Sequence, residues 1–207
     1  MKNQKLNRLV KVSLLGVIGF LLMAIEISLP FFPEFLKVDI GDLPALIGAF
    51  ALGPMAGVAV EFLKNFLHGI FLGKTMFIGD FANFIIGGTL VAAAGTIYKM
   101  KKTKKTAFIG IAAGTLLMCI VAGITNYYIF LPLYEKVLHV PVAAMISAAR
   151  VINPRVNNLN SFIVWVTIPF NLMKGILISV ITMAVYKKVS PILHSESEVQ
   201  EKVRNNC

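Results

Sequence analysis

Disulfides, charge and catalytic motifs are all scarce in this 207-residue chain. It has two cysteines, Cys119 inside an apolar run and Cys207 at the terminus, so no disulfide framework holds it together. Charged residues make up 14% against 57% hydrophobic, and the mean hydropathy is +0.78, which excludes an ordinary soluble domain and points to the membrane class. HExxH, CxxC and GxSxG are missing. The nearest approach to a phosphate-binding loop is Gly69-Ile-Phe-Leu-Gly73-Lys74-Thr75, with three residues between its glycines where four are needed and no soluble strand before it. The chain therefore does not hydrolyse ATP itself, and the segments outside its apolar runs are too short for an enzyme domain.

Acidic residues are outnumbered, 10 to 20, and the net charge of +10 would suit nucleic acid if it covered one face. Instead, thirteen of the twenty basic residues fall in three short segments. Lys2, Lys5, Arg8 and Lys11 precede the first apolar run; Lys99, Lys101, Lys102, Lys104 and Lys105 fill one loop; Lys187, Lys188, Lys202 and Arg204 follow the last run. That is the positive-inside pattern of a membrane protein, with these segments cytoplasmic and no nucleic-acid partner. Residues 1–29 resemble a signal peptide, but the apolar run is about twenty residues long, holds Glu26 and lacks a small-x-small cleavage site. It reads as a retained first span.

The apolar runs are 9–29, 43–52, 55–72, 77–98, 106–131 and 161–186. Gly53-Pro54 makes the second and third either two short helices or one kinked segment. The expected fold is an all-α integral membrane protein of six transmembrane helices with both termini cytoplasmic, a single domain over 1–190 and a polar, disordered tail over 191–207. No internal repeat is visible, so a repeat-built rocking transporter is not supported.

Polar residues inside these runs carry the functional signal. Lys174 lies mid-run, where a lysine costs about 2.5–3.5 kcal/mol on insertion scales. Asn171 precedes it by three and shares its helical face, and Pro169 removes a backbone N–H nearby. Asn126 is a second amide at similar depth. Such a ladder suits a small, flat, mostly apolar molecule with a hydrogen-bonding edge. Asn83 shares a face with Asp80 in the run 77–98, and Asp80 itself is placed to cap that helix. Asp42, before Leu43-Pro44, is placed to cap another. Tyr127 and Tyr128 fit either an interfacial belt or stacking on a planar ligand. Glu61 and Lys64, three apart, are expected to pair; His68, near the outer interface, is weak evidence for a metal. Ser13, Gly16 and Gly19 form a small-residue face, and Gly110-Ile-Ala-Ala-Gly114 has close-packing spacing. Val142, Met145, Ile146, Ala149 and Ile152 recur at helical spacing within 135–160, as in an amphipathic surface helix that acts as a lid.

Several of these stretches, in order, are shared with one family. Asp39-Ile-Gly-Asp42-Leu-Pro44, Gly53-Pro54-Met-Ala-Gly57, Lys64-Asn65, Phe81-Ala-Asn83-Phe, Asn126-Tyr127 with Leu131-Pro132-Leu-Tyr134, and Pro169-Phe170-Asn171 with Lys174-Gly175 resemble the riboflavin-binding S components of energy-coupling factor (ECF) transporters over about residues 8–190. The resemblance implies a cell-membrane protein that binds riboflavin from outside as transported ligand, without a cofactor, beside a transmembrane coupling (T) subunit and two cytoplasmic ATPases. It implies that Asn126, Asn171 and Lys174 contact the isoalloxazine ring, with the loop around Asp42 and Leu43 closing over it. Asn83 and Tyr127 complete the candidate substrate-binding set. The family's first helix carries an Ala-x-x-x-Ala docking motif; here only the small face of Ser13, Gly16 and Gly19 stands in for it. Two rival readings remain: an S component for another vitamin or flat heterocycle, and a membrane-embedded enzyme using Glu61, His68 or Asp80.

Overall fold

Inside hydrocarbon a chain has no partner for its backbone groups except itself, so apolar runs fold as helices. The computed structural model describes residues 2–185; the basic positions beyond 185 and the tail expected over 191–207 lie outside the described residues. The first helix, α1 (Lys2–Met23), ends short of the expected residue 29. Ile27 and Ser28 pair antiparallel with Val38 and Lys37, forming β1 (Ile27–Ser28) and β2 (Lys37–Val38). Pro30 and Pro33 cannot continue a helix, and Lys37 Nζ, 2.7 Å from Glu26 Oε2, closes the hairpin.

Two helices, α2 (Asp42–Leu52) and α3 (Pro54–Phe71), follow rather than one kinked segment. Gly53 between them has φ +100°, which residues with a side chain rarely adopt, and Pro54 sets the first turn of α3. Next come α4 (Ile78–Met100) and α5 (Lys104–Thr125), the latter opened by a capping box between Thr103 and Thr106. The run does not end at 131. A π-turn, Asn126–Phe130, leads into α6 (Leu131–Leu138), where Pro132 is tolerated in the first turn. The expected surface helix is α7 (Val142–Ile152); its Ile152 is exposed, off the packed face. Finally α8 (Leu159–Phe162), capped by Asn158, passes through a second π-turn, Ile163–Thr167, and the helix continues to Val185. The fold is mostly helical. Among the described residues, four runs have the length and apolarity to cross a membrane: Lys5–Met23, Ile78–Met100, Lys104–Leu138 and Leu159–Val185.

The main core joins α2, α3, α4, α5 and the last helix through Leu46, Val60, Leu90, Ile111, Met118 and Ile178. A second cluster, with Leu131, Ala149, Val156 and Phe162, fastens α6, α7 and α8. Small residues bring backbones together: a Cβ on Gly110 or Gly114 would sit 2.8 Å from the Ala94 or Leu90 carbonyl of α4. The same holds on α1. Gly16 packs on Leu63, and Gly19 on the Gly41 carbonyl and the Lys64 stem, while Ser13 stays exposed. The face expected to dock a partner is thus filled by the chain itself at two of its three positions.

Candidate functional site

The buried charges of this protein form two layers, one helical turn apart. In the first, Lys64 pairs with Glu61 Oε1 at 2.5 Å, as its spacing predicts, and also with Asp42 Oδ1; all three are fully buried. The other Asp42 oxygen, Oδ2, lies 3.2 Å from Lys174 Nζ, close enough to attract but without hydrogen-bond alignment. Lys174 donates hydrogen bonds to Asp39 Oδ2 (3.0 Å) and Asn83 Oδ1 (3.1 Å). Asp42 therefore does not cap α2. It is the first helical residue, and the Lys64 ammonium takes one of its oxygens while Lys174 attracts the other.

The second layer lies one turn further from the lysine-rich loop 99–105, since His68 follows Lys64 by four and Asp80 precedes Asn83 by three. His68 Nδ1 and Asp80 Oδ1 are 2.6 Å apart, and His68 Nε2 is 3.8 Å from Glu26 Oε1 on the hairpin. Asp80 thus makes no side-chain cap for α4. The carboxylates and imidazole offered by an enzyme reading are engaged in these pairs.

Between the hairpin, α3, α4, α6 and the last helix lies a cavity of about 530 Å³, within the ~300–1,000 Å³ usual for small-molecule sites. Asn126, Asn171, Lys174 and Asn83 all line it, so the structure gathers four sequence candidates on one cavity. Asn126 spends one amide N–H on the Ala122 carbonyl (2.8 Å), and Asn171 one on the Thr167 carbonyl (2.9 Å). Neither amide oxygen accepts a hydrogen bond among the described residues. Asn126 opens one π-turn and Thr167 closes the other. π-turns shift the angular position of everything that follows and recur at functional sites, and Pro169, with no N–H to give, sits just past the second. Ile86, Leu131, Phe162 and Phe170 supply apolar wall, and Thr75, Tyr134, His68 and Asp80 add polar groups.

Three expected residues are elsewhere. Asp42 is buried behind Lys174, Leu43 does not reach the cavity, and Tyr127 packs on the second cluster, T-shaped to Tyr128 at 4.8 Å. Conversely, Asp39, Thr167 and Tyr134 line the cavity without having been singled out. Asp39 opens the first of the shared family stretches, but its role stays hidden in the sequence because its partner lies 135 residues later. Thr167 lay within reach, four residues before Asn171 on one helical face.

The profile of the family described as "ECF transporter, substrate-specific component" matches residues 7–186. "Riboflavin transporter RibU" of Staphylococcus aureus (strain TCH60) is 36% identical over 191 residues, covering 92% of this chain and 94% of that protein. "Riboflavin transporter FmnP" of Bacillus subtilis (strain 168) is 34% identical over 194 residues, covering 93% and 96%. A solved structure described as "Structure and mechanism of the S component of a bacterial ECF transporter" superposes with a TM-score of 0.71 at 33% identity, covering 93% of this chain and 99% of that one.

Proposed function

The chain belongs to the substrate-specific components of ECF transporters, and on that premise we propose that it binds riboflavin at the cavity walled by Asn126, Asn171, Lys174 and Asn83 and delivers it for import. It is a multi-pass cell-membrane protein and a transport subunit, not an enzyme. The choice of riboflavin follows the relatives, which are named riboflavin transporters, and one observation of the site supports it: among the described residues the two asparagine amides on the cavity wall each keep a carbonyl oxygen and an N–H without a partner, beside an ammonium. Riboflavin's ring presents alternating carbonyl and N–H groups along one edge, and its dimethylbenzene side is apolar. Amides match the first by offering both donor and acceptor; Phe162, Phe170, Ile86 and Leu131 match the second. A ligand without that edge would leave buried polar groups unpaired at about 1–3 kcal/mol each, which is the basis of selectivity. The ribityl hydroxyls then have Thr75, Tyr134 and His68 for partners. Riboflavin is cargo here, and no cofactor takes part.

In this reading the crossings are six: α1, α2, α3, α4, the run Lys104–Leu138 and the last helix, with both termini cytoplasmic, in one domain over 1–190. The hairpin loop and the segment 135–160, whose Met145 reaches the cavity, gate the ligand. The T component and two ATPases supply the energy for release inside, and Ser13, exposed on α1, remains a candidate for contacting the T component. Transport is the direct test. Vesicles holding the chain with its T and ATPase partners are expected to accumulate riboflavin only when ATP is supplied on the ATPase side. Sustained uptake by this chain alone, without ATP, would contradict the need for partners.

A further inference from the structure

We propose that Asp39 is a positioning residue for ligand recognition: it fixes the Lys174 ammonium and makes that group's engagement of ligand depend on the loop between β2 and α2 being seated. The inference rests on the reading that Lys174 contacts the ligand. An ammonium carries three N–H donors in tetrahedral arrangement and rotates freely about its last bond. Hydrogen bonds to Asp39 Oδ2 at 3.0 Å and Asn83 Oδ1 at 3.1 Å occupy two of them. Once two directions are taken, the third is determined. Asp42, facing the same nitrogen at 3.2 Å without hydrogen-bond alignment, adds attraction but does not claim that donor. One directed N–H therefore remains for an acceptor on the ligand.

Asp39 is itself held. Its Oδ1 accepts from the Gly41 backbone N–H at 2.8 Å, and the residue is 6% exposed. Gly41 in turn sits so close to α1 that a Cβ there would lie 2.8 Å from the Gly19 carbonyl. Loop seat, Asp39, Lys174 and ligand thus form one mechanical series. Of the two residues holding Lys174, Asn83 rides on a long helix, whereas Asp39 follows β2 in the loop, so Asp39 alone conveys the loop's position.

Charge makes a structural role and a positioning role separable. The buried cluster holds three carboxylates (Asp39, Asp42, Glu61) against two ammonium groups (Lys64, Lys174). In Asp39→Asn the amide oxygen remains an acceptor and Lys174 still faces the Asp42 carboxylate at 3.2 Å, so no charge is left uncompensated, and the variant is expected to melt close to wild type while binding riboflavin about tenfold more weakly. The experiment is riboflavin titration and dissociation by flavin fluorescence on detergent-purified full chain, with thermal melting beside it. It compares wild type, D39N, D39E, K174M and D39N/K174M. The expected outcome is faster dissociation in D39N, recovery to within about threefold of wild type in D39E, and less than a twofold further loss when D39N is added to K174M. Equal losses from D39N with and without K174M, or affinity and melting temperature falling together, would overturn the positioning role. K174M binding like wild type would instead remove Lys174 from the ligand, which overturns the underlying site reading as well.

Discussion

Lys64→Met is expected to cost the folded protein about 3–5 kcal/mol, the usual penalty for removing one partner of a buried ion pair. Lys64 has no exposed surface and bridges two carboxylates, Asp42 and Glu61, that have none either. Methionine fills most of the space, so packing changes little and the loss is electrostatic. It leaves Glu61 with the Asn65 amide as its remaining side-chain hydrogen-bond partner, at 3.0 Å, and Asp42 sharing Lys174 with Asp39. Because an uncompensated charge is costlier than no charge, Lys64→Met combined with Glu61→Gln is expected to recover a clear part of the loss. Thermal melting of the purified variants reads both. A double variant no better than the single one would mean that the stem of Lys64, packed on Gly19, matters more than its charge.

Gly57→Val is expected to be the second large loss, at least ~1–3 kcal/mol, the range for forcing extra atoms into a packed core. Gly57 stands where α3 meets both α2 and α4. A Cβ there would lie 2.5 Å from the Ala49 Cβ, 2.7 Å from the Ala45 carbonyl oxygen and 2.7 Å from Val91 Cγ1. One of those atoms belongs to helix backbone and cannot turn aside, so the helices must part. Gly88 on α4 is the control: a Cβ there meets nothing nearer than the Phe84 ring at 3.8 Å. Gly88→Ala, whose methyl has room and favours the helix, is therefore expected to melt at or up to ~1 kcal/mol above wild type. A Gly57→Val variant melting alongside Gly88→Ala would mean that α2 and α3 are not as closely packed as described.

These two glycines show where sequence reading stops. Each is a glycine in an apolar run, and only the approach of another helix separates them. The same limit explains which parts of the site were legible. Lys174, Asn171, Asn126 and Asn83 stood out because a polar side chain amid hydrocarbon is costly enough to need a reason, and all four line the cavity. The pairing of Glu61 with Lys64 is legible because three-residue spacing is local. Roles set by remote partners are not legible in this way. Asp42 looked like a cap and is a counter-ion to Lys64, 22 residues away; Asp80 looked like a cap and holds His68. The first helix stops at Met23 because Ile27 finds Val38, a pairing that apolar periodicity does not encode. The π-turns leave no pattern at all, since one extra residue in a turn is invisible to composition, yet Asn126 begins one and Asn171 lies one helical turn past the other. The small face of α1 is visible in the sequence, but not that α3 and the loop between β2 and α2 occupy it.

The most direct test of the account is riboflavin titration of the purified chain, followed by quenching of flavin fluorescence, for wild type and Asn171→Ala. The account predicts saturable one-to-one binding by wild type and at least a tenfold weaker dissociation constant in the variant, or about 1.4 kcal/mol, with the melting temperature of the unliganded protein little changed. Wild-type binding untouched by Asn171→Ala would contradict the assigned cavity wall, and a chain that does not quench riboflavin at all would contradict the proposed ligand.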